Sequence, residues 1–299
     1  YVSLAWIGGI VVLLSGVAST VGLHSQIPNL HVPNEPEKFD LGQIMGEIRE
    51  TISNYSWLML FLAGLVFALF IGLHAGTEQY YNVYFWEWIP AQIRAFPVIQ
   101  AAVAITCGFA TSVLARGREK KKLAVRLFAV SVVLGPLPVA LRLLDGITPY
   151  SVFPANGTDL IWWFLLLHGC IMVLLSVSGF ILIGSMVADV VEESQAQTGR
   201  RSEGLLSAGP ALAQKTMSAG GVLITGLVLS VFGFDVPNPT VEEMREPMEK
   251  LALAHLILGV TFPVVCTYLI SRYTITREDH DRRIGELGYS ETDSPSPPS

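Results

Sequence analysis

Residues 160–188 contain no Asp, Glu, Lys or Arg. In water such a stretch needs burial on every side. In a bilayer a helix of roughly 20 apolar residues crosses the hydrocarbon core with all its backbone groups bonded internally. The pattern recurs along the chain. Membrane-crossing helices are predicted over residues 1–23, 57–76, 95–115, 123–144, 160–188, 204–234 and 251–271. Charged residues make up only 15% of the 299 positions, and they cluster between the apolar runs; a soluble domain carries about a quarter. The fold class that follows is all-α and polytopic, with seven transmembrane helices.

The interior of these runs supports that reading. Pro136, Pro138, Pro210 and Pro263 fall inside predicted helices. Membrane helices tolerate proline when neighbours satisfy the freed backbone groups. Gly220, Gly221 and Gly226 offer small faces for close helix contact. Cys107, Cys170 and Cys266 all lie in apolar runs without metal-ligand spacing and read as packing residues. The net charge is −6 with no long basic tract, so no nucleic-acid partner is expected. The chain opens on Tyr1, inside an apolar run, without the basic region of a signal peptide. Residue 1 is therefore expected to be an internal position of a longer protein.

The connections fix a topology. Lys38, Arg49, the basic turn 116–122 with Arg126, Arg200, Arg201, Arg272, Arg277, Arg282 and Arg283 fall on one side. Arg94, Arg142, Arg245 and Lys250 fall on the other. The richer side is expected to be cytoplasmic, with the C-terminus there and the protein in the inner (plasma) membrane. The resulting plan has residues 1–23 as one helix, 24–56 as a cytoplasmic linker with an amphipathic helix near 40–53, and 57–271 as a six-helix bundle. Residues 272–299 form a tail ending in a Ser/Pro-rich segment. Transporters built from two six-helix halves look like this when cut before their sixth helix. Residues 1–23 would then be the last helix of the N-terminal half.

Two features carry chemistry. In the first, Asp189 ends a predicted helix, Glu192 and Glu193 follow, and Thr198-Gly199-Arg200-Arg201-Ser202-Glu203-Gly204 opens the next helix. These charges can pair with each other or with a basic group of another loop, and so latch a gate; a solvated turn is the alternative. The second is Lys215, about eleven residues into an apolar helix. A buried membrane lysine costs about 2.5–3.5 kcal/mol on insertion scales. It is expected to face the bundle interior and meet a carboxylate or a polar solute.

With Ala188-Asp189, Thr198 to Gly204, Lys215 and Gly233-Phe234, residues 180–234 resemble the glycoside–pentoside–hexuronide:cation symporters, the melibiose-permease-like branch of the major facilitator superfamily. Gln26-Ile27-Pro28-Asn29-Leu30, Tyr84-Phe85-Trp86-Glu87 and Tyr273 to His280 are similar as well. The resemblance implies a fragment of a 12-helix fold that moves a sugar or glycoside by cation-coupled alternating access. It implies that Lys215 and Phe180 line the substrate cavity. It also implies that Asp189, Glu192, Glu193, Arg200, Arg201 and Glu203 form the cytoplasmic gate. Tryptophan is usual at the position of Phe180, and Ala211 stands where melibiose permease has a hydroxyl residue. The coupling ion, Na+ or H+, would bind in the missing N-terminal six-helix half. Related members move lysolipids, which leaves an amphiphile as an alternative solute.

Other residues read less sharply. Tyr80, Tyr81, Tyr84, Trp86 and Trp88 are expected to form an interfacial aromatic belt, with a substrate lid as the alternative. Trp162 and Trp163 read the same way. His74 and His168 read as single histidines, structural or part of a proton relay. Asn156-Gly157-Thr158 is a formal glycosylation sequon. A membrane enzyme or receptor-like protein is the competing class. An enzyme would need polar groups converging at one depth, and the sequence offers scattered singles, with no nucleophile triad, zinc spacing or phosphate loop.

Overall fold

The computed structural model describes residues 2–24, 51–115, 118–148, 153–198, 203–237 and 239–275, with positions 42, 46 and 49. The side chains of 2–5, 7, 112, 192, 194–198 and 203–209 lie outside that description. Two compact units divide the chain, Tyr1–Ile44 and Met45–Ser299. The first contains α1, Val2–His24. Its Ser15 and Thr20 hydroxyls donate to the carbonyls of Val11 and Gly16 one turn back, so neither needs a partner outside the helix.

The second unit holds α2 (Tyr55–Tyr80) running into a π-helical turn (Tyr81–Phe85), α3 (Pro90–Ala115) and α4 (Lys120–Leu134). After these come α5 (Leu137–Ile147), α6 (Asp159–Thr198), α7 (Glu203–Phe232) and α8 (Arg245–Ser271). Among the described residues there is no strand. Six segments are long and apolar enough to cross a membrane: Tyr55–Phe85, Pro90–Ala115, Lys120–Ile147, Asp159–Val191, Pro210–Phe232 and Arg245–Ser271. Successive spans run antiparallel. One end therefore gathers the starts of α2, α4 and α7 with the ends of α3, α6 and α8, and carries the basic turn. The other end gathers most of the aromatic residues.

Helices in lipid gain little from apolar burial against one another, so close backbone contact decides which pair. The tightest pair is α2 with α7. Gly64, Ala68, Gly72 and Gly76 recur every fourth residue on α2 and make a groove. Gln214, Ser218, Gly221 and Thr225 of α7 fill it. A Cβ on Gly72 would overlap the Ser218 carbonyl, and one on Gly221 would lie 2.5 Å from the Leu69 carbonyl oxygen. The Thr225 hydroxyl completes the seam by donating to Leu73 O at 3.2 Å.

The span expected over 123–144 is broken into α4 and α5 at Gly135-Pro136. Pro138 has no N–H to give the Leu134 carbonyl one turn earlier. His168 Nε2 on α6 lies 2.8 Å from that carbonyl and takes the place of the missing donor. His168 is thus a structural histidine, held in the tautomer with a proton on Nε2.

Buried side chains form two clusters. Trp57, Leu60, Phe128, Leu182, Met186, Ile270 and Tyr273 belong to the basic end. Tyr81, Trp86, Phe153, Ile161, Leu229, Phe234 and Met248 belong to the aromatic end. The stretches of α2, α6 and α8 between the clusters do not close on one another.

A central cavity between a charged end and an aromatic end

Between the two clusters lies a cavity of about 590 Å³. Phe67, Phe70, Met172, Val173, Phe180 and Phe262 give it an apolar wall. The same cavity receives Glu78, Gln100, Ser131, Ser176 and three histidines, His74, His168 and His255. Phe180 packs edge-on against Phe67, with ring centroids 4.8 Å apart. His74 and His255 approach across the α2–α8 seam, with ring centroids at 6.0 Å. Such a space suits a small organic solute that presents both apolar and hydrogen-bonding surface. Among the described residues no group of three His, Cys, Asp or Glu is placed to hold a metal ion.

The basic end is closed by charge. Asp189 on α6 is 6% exposed, and its Oδ1 takes a hydrogen bond from Lys120 Nζ, at the first residue of α4, at 2.6 Å. The Tyr273 hydroxyl, just beyond α8, lies 3.5 Å from the other carboxylate oxygen. One turn on, Glu193 accepts from Asn54 Nδ2 at 3.4 Å. Asn54 in turn caps α2, its Oδ1 accepting from Trp57 N at 3.0 Å. That position puts the Glu193 carboxylate at the positive end of the α2 dipole. A single turn of α6 therefore ties down the starts of α2 and α4 and the exit of α8.

The aromatic end is closed mainly by rings and neutral hydrogen bonds. Tyr81 and Trp86 are buried against Phe85, Phe153 and Met248. The Tyr81 hydroxyl donates to Leu251 O at 3.1 Å. Arg142 donates to Pro154 O at 3.2 Å and to Asn156 Oδ1. Asn156 Nδ2 donates onward to Phe85 O at 3.1 Å and to Glu87 Oε1 at 2.8 Å. Glu87 takes a left-handed backbone, with φ 53°. A side chain rarely adopts that conformation without cost, and here it aims the carboxylate back at Asn156. The sequon asparagine is thus a fully engaged bridge between loops.

The family comparison bears on this geometry directly. The profile of the MFS/sugar transport protein family matches residues 1–277. The chain belongs to that family. No curated protein matches the sequence at a significant level. As an MFS protein it is a multi-pass membrane protein of the transporter class.

Within this MFS fold the expected site residues separate into two groups. Phe180 is among the residues lining the cavity. Asp189 and Glu193 join the charged cluster at the basic end, and the basic turn supplies the partner, Lys120. Glu192 lies in α6 and Glu203 opens α7, but their side chains fall outside the described residues, as do Arg200 and Arg201 altogether. Lys215 does not face the interior of the six-helix unit. It is exposed on α7, outside the lining of the cavity, and it makes no hydrogen bond or ion pair with the described residues. The reason is helical phase. Gln214, Ser218 and Gly221 occupy the face against α2, and the next residue along lies about 100° round the helix.

Two expectations are corrected. The interfacial aromatic belt expected after α2 is only partial, because Tyr81 and Trp86 are each 6% exposed and form part of the core while Tyr80, Tyr84 and Trp88 are half-buried. Polar groups do converge at one cavity, where scattered singles were expected. His255 and Glu78 went unread, although both are ionisable residues inside apolar spans, the signal that singled out Lys215.

Proposed function

We propose that this chain is the C-terminal part of a secondary transporter that moves a small solute, a sugar or glycoside, by alternating access driven by a cation gradient. The observation that carries the reading is the cavity of about 590 Å³ held between two separately closed ends. Its volume lies within the roughly 300–1,000 Å³ of small-molecule sites. Gln100, Glu78 and His74 offer hydrogen bonds to sugar hydroxyls, and Phe67, Phe70, Phe180 and Phe262 suit a ring face or an aglycone.

The Asp189–Lys120 pair, with Glu193 and the Arg200/Arg201/Glu203 turn, acts as the gate on the cytoplasmic side. That side holds the C-terminus, and the membrane is the inner (plasma) membrane. Lys215, exposed on this half, faces the path shared with an N-terminal six-helix half; a lysine left in lipid costs about 2.5–3.5 kcal/mol. That half would also hold the main site for Na+ or H+. Polar groups in the cavity belong to the solute path rather than to catalysis.

The mostly apolar wall favours a second solute class, an amphiphile such as a lysolipid. Equilibrium counterflow with the full-length protein in proteoliposomes separates the two, with glycosides and lysolipids tested as panels. Exchange of one class assigns the solute. In the same assay Lys215→Ala is expected to reduce exchange to background with expression intact. Exchange of neither class, or wild-type exchange by the variant, contradicts the corresponding assignment.

A further inference from the structure

We propose that His74 and His255, with Glu78 beside them, form a proton-binding site in this half of the protein, separate from any cation site in the other half. The inference rests on the transport reading for its purpose but not for its chemistry.

The geometry singles out two of the three cavity histidines. His168 is committed, its Nε2 proton given to the carbonyl that Pro138 leaves free. The His74 and His255 rings make no hydrogen bond to the described residues, and they lie 6.0 Å apart. Both also line a second, smaller cavity of about 50 Å³, shared with Thr77, Tyr81 and Thr225. The pair, with Phe70, therefore forms part of the wall between that pocket and the main cavity. A pocket needs about 10–15 Å³ to admit one water, so a water can reach the rings from behind while the solute space lies in front. Imidazole is the side chain whose ordinary titration falls between about pH 5 and 8. Two rings this close share a titration, because a proton on one raises the cost of a proton on the other.

The charged and titratable groups that face the pair are few. On its own helix His74 has Glu78 one turn further along, and the two carry opposite charge when His74 is protonated. From α6 comes His168, already bonded, and from the π-helical turn comes Tyr81, bonded to Leu251 O. The linings from α3, α4 and α7 are neutral at this level, namely Gln100, Ser131 and Thr225. Glu78 is the carboxylate whose charge acts on His74, and its side chain makes no hydrogen bond or ion pair with the described residues. One proton taken up by the pair balances the Glu78 carboxylate, so the site then carries no net charge. A second proton is opposed. No bond other than N–H is made or broken.

The test uses the full-length protein in nanodiscs with ¹⁵N-labelled histidine, followed by NMR from pH 5 to 8 and assigned with single His→Gln variants. The expected result is that His74 and His255 titrate together and bind one proton between them. His255→Gln then turns the His74 curve into that of an isolated imidazole, and Glu78→Gln moves it, while the His168 signal stays in one tautomer throughout. If a Gln variant fails to fold, His→Asn supplies the assignment and the wild-type curves carry the test. Neither signal moving between pH 5 and 8 overturns the proposal. So do two independent curves unaffected by each other's substitution. The readout needs no solute, so a protein that fails to transport still reports on the site, and a transporter without the shared titration disproves the site alone.

Discussion

At the basic end of the bundle the Asp189 carboxylate meets Lys120 at 2.6 Å, whereas at the aromatic end Arg142 gives its guanidinium to a backbone carbonyl and an amide, with its own-helix carboxylate Asp145 farther off at 3.8 Å. Both ends close the same cavity. The first depends on a buried carboxylate and a partly exposed lysine, drawn from helices far apart in the chain. The second depends on buried rings and on hydrogen bonds whose partners are mostly neutral, with Glu87 at the rim. The difference matters for a transporter. A charge pair holds firmly while both partners are present and loses everything when they separate, so it suits a latch with two states. A ring-packed end loses its grip gradually, contact by contact.

The largest expected effect comes from leaving a charge behind. Lys120→Ala takes the counter-charge from the buried Asp189 carboxylate, which keeps its Tyr273 contact, and should cost up to about 3–5 kcal/mol, read as thermal unfolding in detergent. Replacing both partners, as Lys120→Met with Asp189→Leu, should recover most of that loss and slow the transport cycle instead. At the aromatic end Arg142→Ala should cost less, about 1–3 kcal/mol, because it leaves a carbonyl, an amide and the Asp145 carboxylate, which is only 3.8 Å away but keeps partial access to water. Equal losses at the two ends would erase the contrast.

A third prediction concerns rate. Arg201→Ala should slow solute exchange by more than it weakens solute binding, as expected of a gate residue at the basic end. Equal loss of both would move Arg201 into the binding site. The smallest effect is at the aromatic end. Glu243 accepts from the N–H and hydroxyl of Thr240 just before α8, which holds its carboxyl below the ordinary value of 4.5. A lowered carboxyl contributes stability above its ordinary range, lost as the pH falls through the lowered value. Thr240→Ala should therefore destabilise slightly at pH 6 and have no effect at the acid end of a titration. A penalty that persists in acid would show a role other than holding the carboxylate.

The six spans of the second unit were legible because length and the absence of charge report membrane crossing directly. Their ends were less so. The helix expected over 160–188 runs on to Thr198, since the polar residues after Asp189 continue the helix past the apolar stretch. The π-helical turn after Tyr80 and the break at Gly135-Pro136 depend on backbone groups that hydropathy does not count. The acidic residues around Asp189 were visible as a cluster, but the choice of Lys120 as partner belongs to the packing of α4 on α6. The facing of Lys215 was hidden because α7 is apolar over much of its circumference, so periodicity gave no phase. The meeting of His74 with His255 joins the second and last spans of the chain, which no local pattern connects.

The central claim is that the cavity between the two ends is reached from either side in turn. Ala75 lines it and is exposed to it, so Ala75→Cys is the reporter, in a full-length background without Cys107, Cys170 and Cys266. Membrane-impermeant maleimide should label it from each face of oriented, sealed vesicles, with transported solute shifting the ratio between the faces. Labelling from one face only, whatever the solute, would contradict the account.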